Sequence, residues 1–167
     1  MLLSVDPGLH KLGWALWSRK GELQVASLCI APAAKSDMRT WVNMTDALYE
    51  QLLDSMDREG RGVNTLVCEM MQAYERNRST TNHEDLLQLC GVLGALAHEF
   101  QHAEMFEYRP REWKGQVPKE ICHTRALAKL SDEERARIQL PRDAKAKLDV
   151  LDAVALGLFH LKKEKKR

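Results

Sequence analysis

Four carboxylates stand where acids are costly. Asp6 closes the strand-like run Leu2–Val5, and Glu69 closes another, Leu66-Val67-Cys68. Asp149 and Asp152 sit inside Leu148–Phe159, a stretch that is apolar nearly all round. Three residues apart on a helical repeat of about 3.6, they share one face about 60° apart. A buried carboxylate without a partner costs several kcal/mol, so a chain seldom carries several such acids idly. Two carboxylates about 5 Å apart repel by roughly 3 kcal/mol at an effective dielectric of about 20. A cluster of four therefore calls for protons or divalent cations, and an all-oxygen ligand set selects a hard ion, Mg²⁺ or Mn²⁺, over zinc. Each acid also has a plainer reading. Asp6 could cap the turn at Pro7-Gly8, Glu69 could pair with Arg76 or Arg78, and the Asp149/Asp152 pair could meet Lys145 or Lys147.

The elements that must bring these acids together can be read from periodicity. Leu2–Asp6, Gly13–Trp17 and Glu22–Ile30 read as three strands joined by short turns, an antiparallel meander that Pro32 ends. Apolar residues at helical spacing predict a helix over Asp37–Asp57, closed by Gly60 and Gly62. Val63–Glu69 is a fourth strand, followed by a polar loop from Gln72 to Thr81. Thr81 and Glu84 form a capping-box pattern that opens a helix to about Gln101. Met105–Tyr108 is a fifth strand stopped by Pro110. A helix starts near Pro118 and runs from Lys119 to Leu130; Ser131 and Glu134 cap a short one, and a last helix covers Ala144–Leu161. The order predicts an α/β fold, a five-stranded mixed sheet flanked by helices, in a single domain over residues 1–167 with a short basic tail at 162–167. If the first and fourth strands are parallel neighbours, Asp6 and Glu69 emerge together at the carboxyl edge, where open α/β sheets bind ligands.

The 167 residues are about one domain's worth, enough to form a core without disulfides or a structural metal. No apolar run approaches the roughly 18–20 residues that span a bilayer, and the acid at position 6 is unlike a secretory leader. The cysteines Cys29, Cys68, Cys90 and Cys122 show no C-x-x-C spacing and read as reduced thiols in apolar surroundings. The formal charge of +1 hides an asymmetry: residues 1–107 carry 9 Lys+Arg against 15 Asp+Glu, and the remainder 16 against 9. A basic third suits a polyanion, although a solvated tail would show the same bias.

Leu3-Ser4-Val5-Asp6-Pro7-Gly8, with Gly13 and the meander, resembles the opening of the ribonuclease H-like fold, and more closely the RuvC family of Holliday-junction resolvases. Leu66-Val67-Cys68-Glu69 resembles that family's strand-end Glu, and Leu148–Leu156 its last helix with two acids three apart. Phe106-Glu107-Tyr108-Arg109-Pro110, Trp113-Lys114 and Val117-Pro118-Lys119 resemble its fifth strand and the basic loop and helix start beyond.

The resemblance implies a Mg²⁺-dependent, structure-selective endonuclease acting on four-way DNA junctions and leaving 5′-phosphate and 3′-hydroxyl ends. It implies two Mg²⁺ per site, with Mn²⁺ able to substitute, Asp6 touching both, Glu69 one, and Asp149 with Asp152 the rest. Lys114 or Lys119 would stand by the phosphate. Gln72 occupies the position at which relatives can carry an aromatic used against junction bases; Tyr74, two residues further on, would either take that stacking role or anchor its own loop. Arg76, Arg78, Arg109, Arg111, Lys145 and Lys147 are candidate DNA contacts beside those lysines. The helix over residues 82–101, with Gly91 and Gly94 on its apolar stripe, would pair across a two-fold axis into a homodimer. A cytoplasmic setting, bacterial or in a phage-infected host, is implied too. Rival readings are a broader branched-DNA or RNA-processing nuclease of the same fold and a non-hydrolytic junction-binding protein.

Overall fold

The computed structural model describes residues 1–32, 36–56, 62–70 and 83–166. The elements run β1 (Leu2–Asp6), β2 (Lys11–Trp17), β3 (Leu23–Ile30), α1 (Asp37–Met56), β4 (Thr65–Glu69), α2 (His83–Glu99), β5 (Glu104–Tyr108), α3 (Pro110–Trp113), α4 (Lys119–Leu127), α5 (Asp132–Ala136) and α6 (Ala144–Glu164). The sheet order is β3-β2-β1-β4-β5. β1 pairs antiparallel with β2 and parallel with β4, and β4 is parallel to β5, which is the mixed sheet that the pattern predicts.

The departures are local. β2 starts two residues earlier than expected and β4 two later; α4 stops at Leu127, and α6 continues to Glu164. Pro110 does not merely stop β5: its fixed φ and missing N–H suit a first helical position, and it opens α3. Thr81 of the expected capping box and the loop from 72 to 81 lie outside the described residues. Among those described, no helix is long and apolar enough to cross a membrane.

Alternation along the strands builds two cores. Leu3, Val5, Leu12, Trp14 and Leu16 face Met44, Leu48 and Leu52 of α1 and Val92 and Leu96 of α2. Leu2, Ala15, Trp17 and Val67 face Val150, Ala153, Val154 and Leu156 of α6. The outer edge of β3 is covered: Leu23 N donates to Glu134 Oε1 at 2.8 Å, and Gln139 N donates to the Ala26 carbonyl at 2.8 Å. These contacts close the first half of that edge to another chain.

What seats α6 also seats its acids. Ser4, fully buried in β1, donates to the Ala153 carbonyl at 2.8 Å and accepts from Trp17 Nε1 at 3.0 Å. Two glycines let the helix come this close. A Cβ at Gly157 would lie 2.3 Å from Trp17 Nε1, and one at Gly13 would lie 2.0 Å from the Asp149 carbonyl. Gly13→Ala must therefore push the first turns of α6 off β2. The expected cost is about 1–3 kcal/mol, the usual range for overpacking, read as a lower urea midpoint; an unchanged midpoint would show that the helix is not held there.

Candidate active site

Side chains of even-numbered residues in β1 and odd-numbered residues in β4 point to the α6 face, as the buried set Leu2, Ser4 and Val67 shows. The last registered parallel pair is Val5 with Cys68, so Asp6 and Glu69 follow side by side at the carboxyl edge. Adjacent strands lie about 4.8 Å apart, which puts the two acids in one neighbourhood. α6 crosses the same edge, held by the Gly13 contact at Asp149 and by Ser4 at Ala153. Three separate elements thus deliver the four carboxylates to one place.

The cations that meet them are mostly lysines from outside the sheet. Lys119, the first residue of α4, places Nζ 2.6 Å from Asp152 Oδ2. Lys114, just after α3, lies 3.3 Å from Glu69 Oε2 and 4.0 Å from Asp152 Oδ2, so one ammonium spans both acids. Lys11 lies 3.5 Å from Asp149 Oδ2. Two ring N–H donors complete the set. Trp113 Nε1 donates to Glu69 Oε2 at 2.7 Å, and His123 Nε2 lies 2.7 Å from Asp152 Oδ1. Beside Asp6 opens a cavity of about 390 Å³ lined also by Lys11, Lys145 and Asp149.

Asp6 carries the strain of this arrangement. It is half-buried by area, but protein surrounds its carboxyl, and that desolvation lifts its pKa well above the usual range. Glu69, Asp152 and Asp149 lift it further, and Lys119 offsets only part. Glu69 is raised by burial and by Asp152, against the pull of Lys114 and the Trp113 hydrogen bond. Burial would also raise Asp152, but the hydrogen bonds from His123 and Lys119 outweigh it and hold the group below its ordinary value. Lys119 is raised: burial opposes its charge, and Asp152, Asp6 and Glu69 more than restore it.

A divalent ion fits this donor set. The four acids offer only oxygen ligands, and at Asp6 burial and the neighbouring carboxylates outweigh the pull of Lys119. Among the described residues no three His, Cys or carboxylate side chains are already gathered as a metal-ligand group. Ammonium groups stand among the acids, with Lys114 and Lys119 on Glu69 and Asp152 and Lys11 on Asp149.

Several sequence-level expectations change here. Among the described residues, Asp149 pairs with Lys11, and Asp152 with Lys114, Lys119 and His123, rather than with Lys145 or Lys147. Glu69 takes Trp113 and Lys114; Arg76 and Arg78, weighed as its partners, lie with Gln72 and Tyr74 outside the described residues. Arg109 and Arg111 flank a separate cavity with Met70, Glu107 and Glu112. Lys147 is half-buried on α6. Cys90 is exposed, not in apolar surroundings, whereas Cys29 and Cys68 are buried thiols pushed up to about 12. Gly91 does not await another backbone: the Trp41 ring of α1 fills the space its Cβ would need, at 2.6 Å.

Lys11, Trp113 and His123 escaped the sequence reading. His123 had a signal, since it lies four residues after Lys119 on one helical face. Lys11 and Trp113 had none beyond their neighbours.

The chain superposes on solved structures of junction resolvases. Against RuvC of Thermus thermophilus in complex with a Holliday junction substrate the TM-score is 0.66 at 17% identity, covering 99% of this chain and 95% of that one. For the yeast mitochondrial Holliday junction resolvase Ydc2 the values are 0.56 and 13%, covering 99% and 80%. For the Fowlpox virus resolvase, solved with substrate Holliday junction DNA, they are 0.52 and 11%, covering 98% and 99%. No protein-family model and no curated protein matches the sequence. The likeness is one of fold, and the fold is the RuvC-like form of the ribonuclease H architecture.

Proposed function

We propose that the protein is a Mg²⁺-dependent, structure-selective DNA endonuclease that resolves four-way junctions by paired symmetric nicks. One observation carries this reading: β1, β4 and α6 bring Asp6, Glu69, Asp149 and Asp152 to the same carboxyl edge of the sheet, with Lys114 reaching both Glu69 and Asp152. The solved resolvases of like fold, two of them in complex with Holliday junctions, supply the substrate class. Asp6, Glu69, Asp149 and Asp152 would hold two Mg²⁺, with Mn²⁺ able to replace them. Such ions supply an activated water and stabilise the leaving oxygen. Lys114 and Lys119, released from Glu69 and Asp152, then turn to the phosphate that brings its own negative charge. Next to them Arg125, Lys129 and Lys162 rim a cavity of about 420 Å³ shared with Lys114, a path for a strand's backbone.

Two nicks need two sites, which a two-fold dimer provides. On α1, Met38, Val42, Tyr49 and Leu53 are exposed, and helical geometry puts them within about 60° of one another. Leu87 on α2 is 71% exposed, and among the described residues nothing lies within 4 Å of the space beside Gly94. These faces of α1 and α2 form the proposed homodimer surface.

The test is cleavage of a labelled four-way junction beside a Y-fork, a duplex and an RNA–DNA hybrid, with and without Mg²⁺. Symmetric nicks on the four-way species, only with the ion, are expected. Equal cutting of the hybrid would overturn the substrate, and binding without cutting would leave a junction-binding protein.

A further inference from the structure

His123 and Trp113 lie outside the acid cluster, yet each ends on it. Both are buried, with 4% and 8% of their surface exposed. An ionised carboxylate only accepts hydrogen bonds, so the 2.7 Å contact to Asp152 Oδ1 places the imidazole hydrogen on Nε2. The indole Nε1 can only donate, and it donates to Glu69 Oε2. Each of these two acids therefore has one ring N–H donor beside an ammonium: His123 and Lys119 for Asp152, Trp113 and Lys114 for Glu69, with Lys114 only 14% exposed and stacked on the Trp113 ring.

The two kinds of donor differ in what they can do. The Lys119 side chain is 45% exposed and swings on a four-carbon stem. Trp113 is packed into the core with Ala126, Leu130 and α6, and the His123 side chain is only 5% exposed. A ring held like this cannot follow a departing cation. It occupies one lone-pair direction and leaves the carboxylate's other directions free.

We propose that His123 and Trp113 are positioning residues that hold Asp152 and Glu69 in ligand geometry while the lysines leave and divalent ions enter. The inference rests on the metal reading above. His123 and Lys119 act from one turn of α4, so the helix that presents a cation to the site also keeps Asp152 aimed once that cation moves away.

The experiment is calorimetric titration of the full-length protein with MnCl₂, without DNA, for the parent, His123→Leu, His123→Gln, Trp113→Phe and, as reference, Asp6→Asn. Loss of a partner behind a metal ligand typically weakens binding about 10–100-fold, which is the expectation for His123→Leu and Trp113→Phe. His123→Gln, which keeps an N–H donor near the place of Nε2, should recover most of that loss. Junction binding in EDTA should stay at the parent value in all three. If the parent and Asp6→Asn bind Mn²⁺ alike or not at all, the metal reading falls and takes the inference with it. If the parent binds and Asp6→Asn does not, the metal reading stands. In that case His123→Leu binding like the parent, or His123→Gln as weak as His123→Leu, would overturn the positioning role. Melting temperatures separate the two causes, because a merely structural role would lower stability without the Leu/Gln split in affinity.

Discussion

Asp6→Asn abolishes junction cleavage and at the same time raises the melting temperature of the metal-free protein. The first effect follows from ion binding. Asp6 is the one acid at the end of the central strand, beside both Glu69 and α6. A divalent ion contributes several kcal/mol of charge stabilisation, and each ~1.4 kcal/mol is tenfold, so a loss of about 10³-fold or more in rate is expected. Binding to the four-way junction, proposed above to rest on basic residues elsewhere, should survive.

The second effect follows from the direction of the Asp6 shift. Burial, then Glu69 and Asp152, raise its folded pKa above the unfolded value, so the native state holds the proton more tightly. The contribution of Asp6 to stability is therefore greatest below about pH 4 and is lost as pH rises toward the folded value. At neutral pH the aspartate therefore costs the metal-free protein stability relative to a neutral side chain, and asparagine removes that cost. A gain on the order of 1 kcal/mol corresponds to about 2–4 °C in a domain of this size. The gap should close near pH 3, and Mg²⁺ should close it at pH 7 by stabilising the parent alone. A variant that cuts at the parent rate, or melts lower at neutral pH, would end the assignment of Asp6 as an ion ligand.

Lys119→Met acts in the opposite sense on stability. Its ammonium contacts Asp152 at 2.6 Å and also eases Asp6, so its removal leaves three carboxylates less compensated. Removing one partner of a buried pair costs about 3–5 kcal/mol, but this lysine is almost half-exposed and screened, which reduces the expectation to about 1–2 kcal/mol. The folded pKa of Lys119 is raised, so its contribution is full below its unfolded value near 10.4 and is lost as pH rises through the folded one. Asp152 is lowered, so its contribution is present above about pH 4 and is lost as pH falls through its folded value. The parent-minus-variant difference should be flat between those limits and vanish outside them. Mg²⁺ should stabilise the variant more than the parent, because no ammonium has to leave. Cleavage should still fall by about 10²-fold, the usual cost of losing one charge-stabilising donor at a reacting oxygen. Equal stabilisation of both proteins by Mg²⁺ would show that the lysine does not compete with the ion.

The succession of strands along the chain, the antiparallel meander and the elements that carry the four acids were legible in the amino-acid sequence, whereas the parallel pairing of β1 with β4 was only a condition there and comes from the structure. Each depends on local pattern: period-two runs ending in an acid, a helix apolar all round interrupted at two positions, and turns marked by Gly and Pro. Ser131 with Glu134 was legible for the same reason, and both of its predicted hydrogen bonds form.

The partners of the acids were not legible. Arg76, Arg78, Lys145 and Lys147 were natural guesses because they are near in sequence, but ion pairing depends on distance in space. Lys11, 138 residues from Asp149, reaches it because β2 and α6 are packed at a glycine. Likewise Lys114 and Trp113 meet Glu69 only because Pro110 opens a short helix that turns them back over the sheet edge. Local sequence determined where negative charge would emerge from this chain. The tertiary structure alone decided which donors meet it, because those contacts join segments whose spacing along the backbone carries no information about their distance after folding.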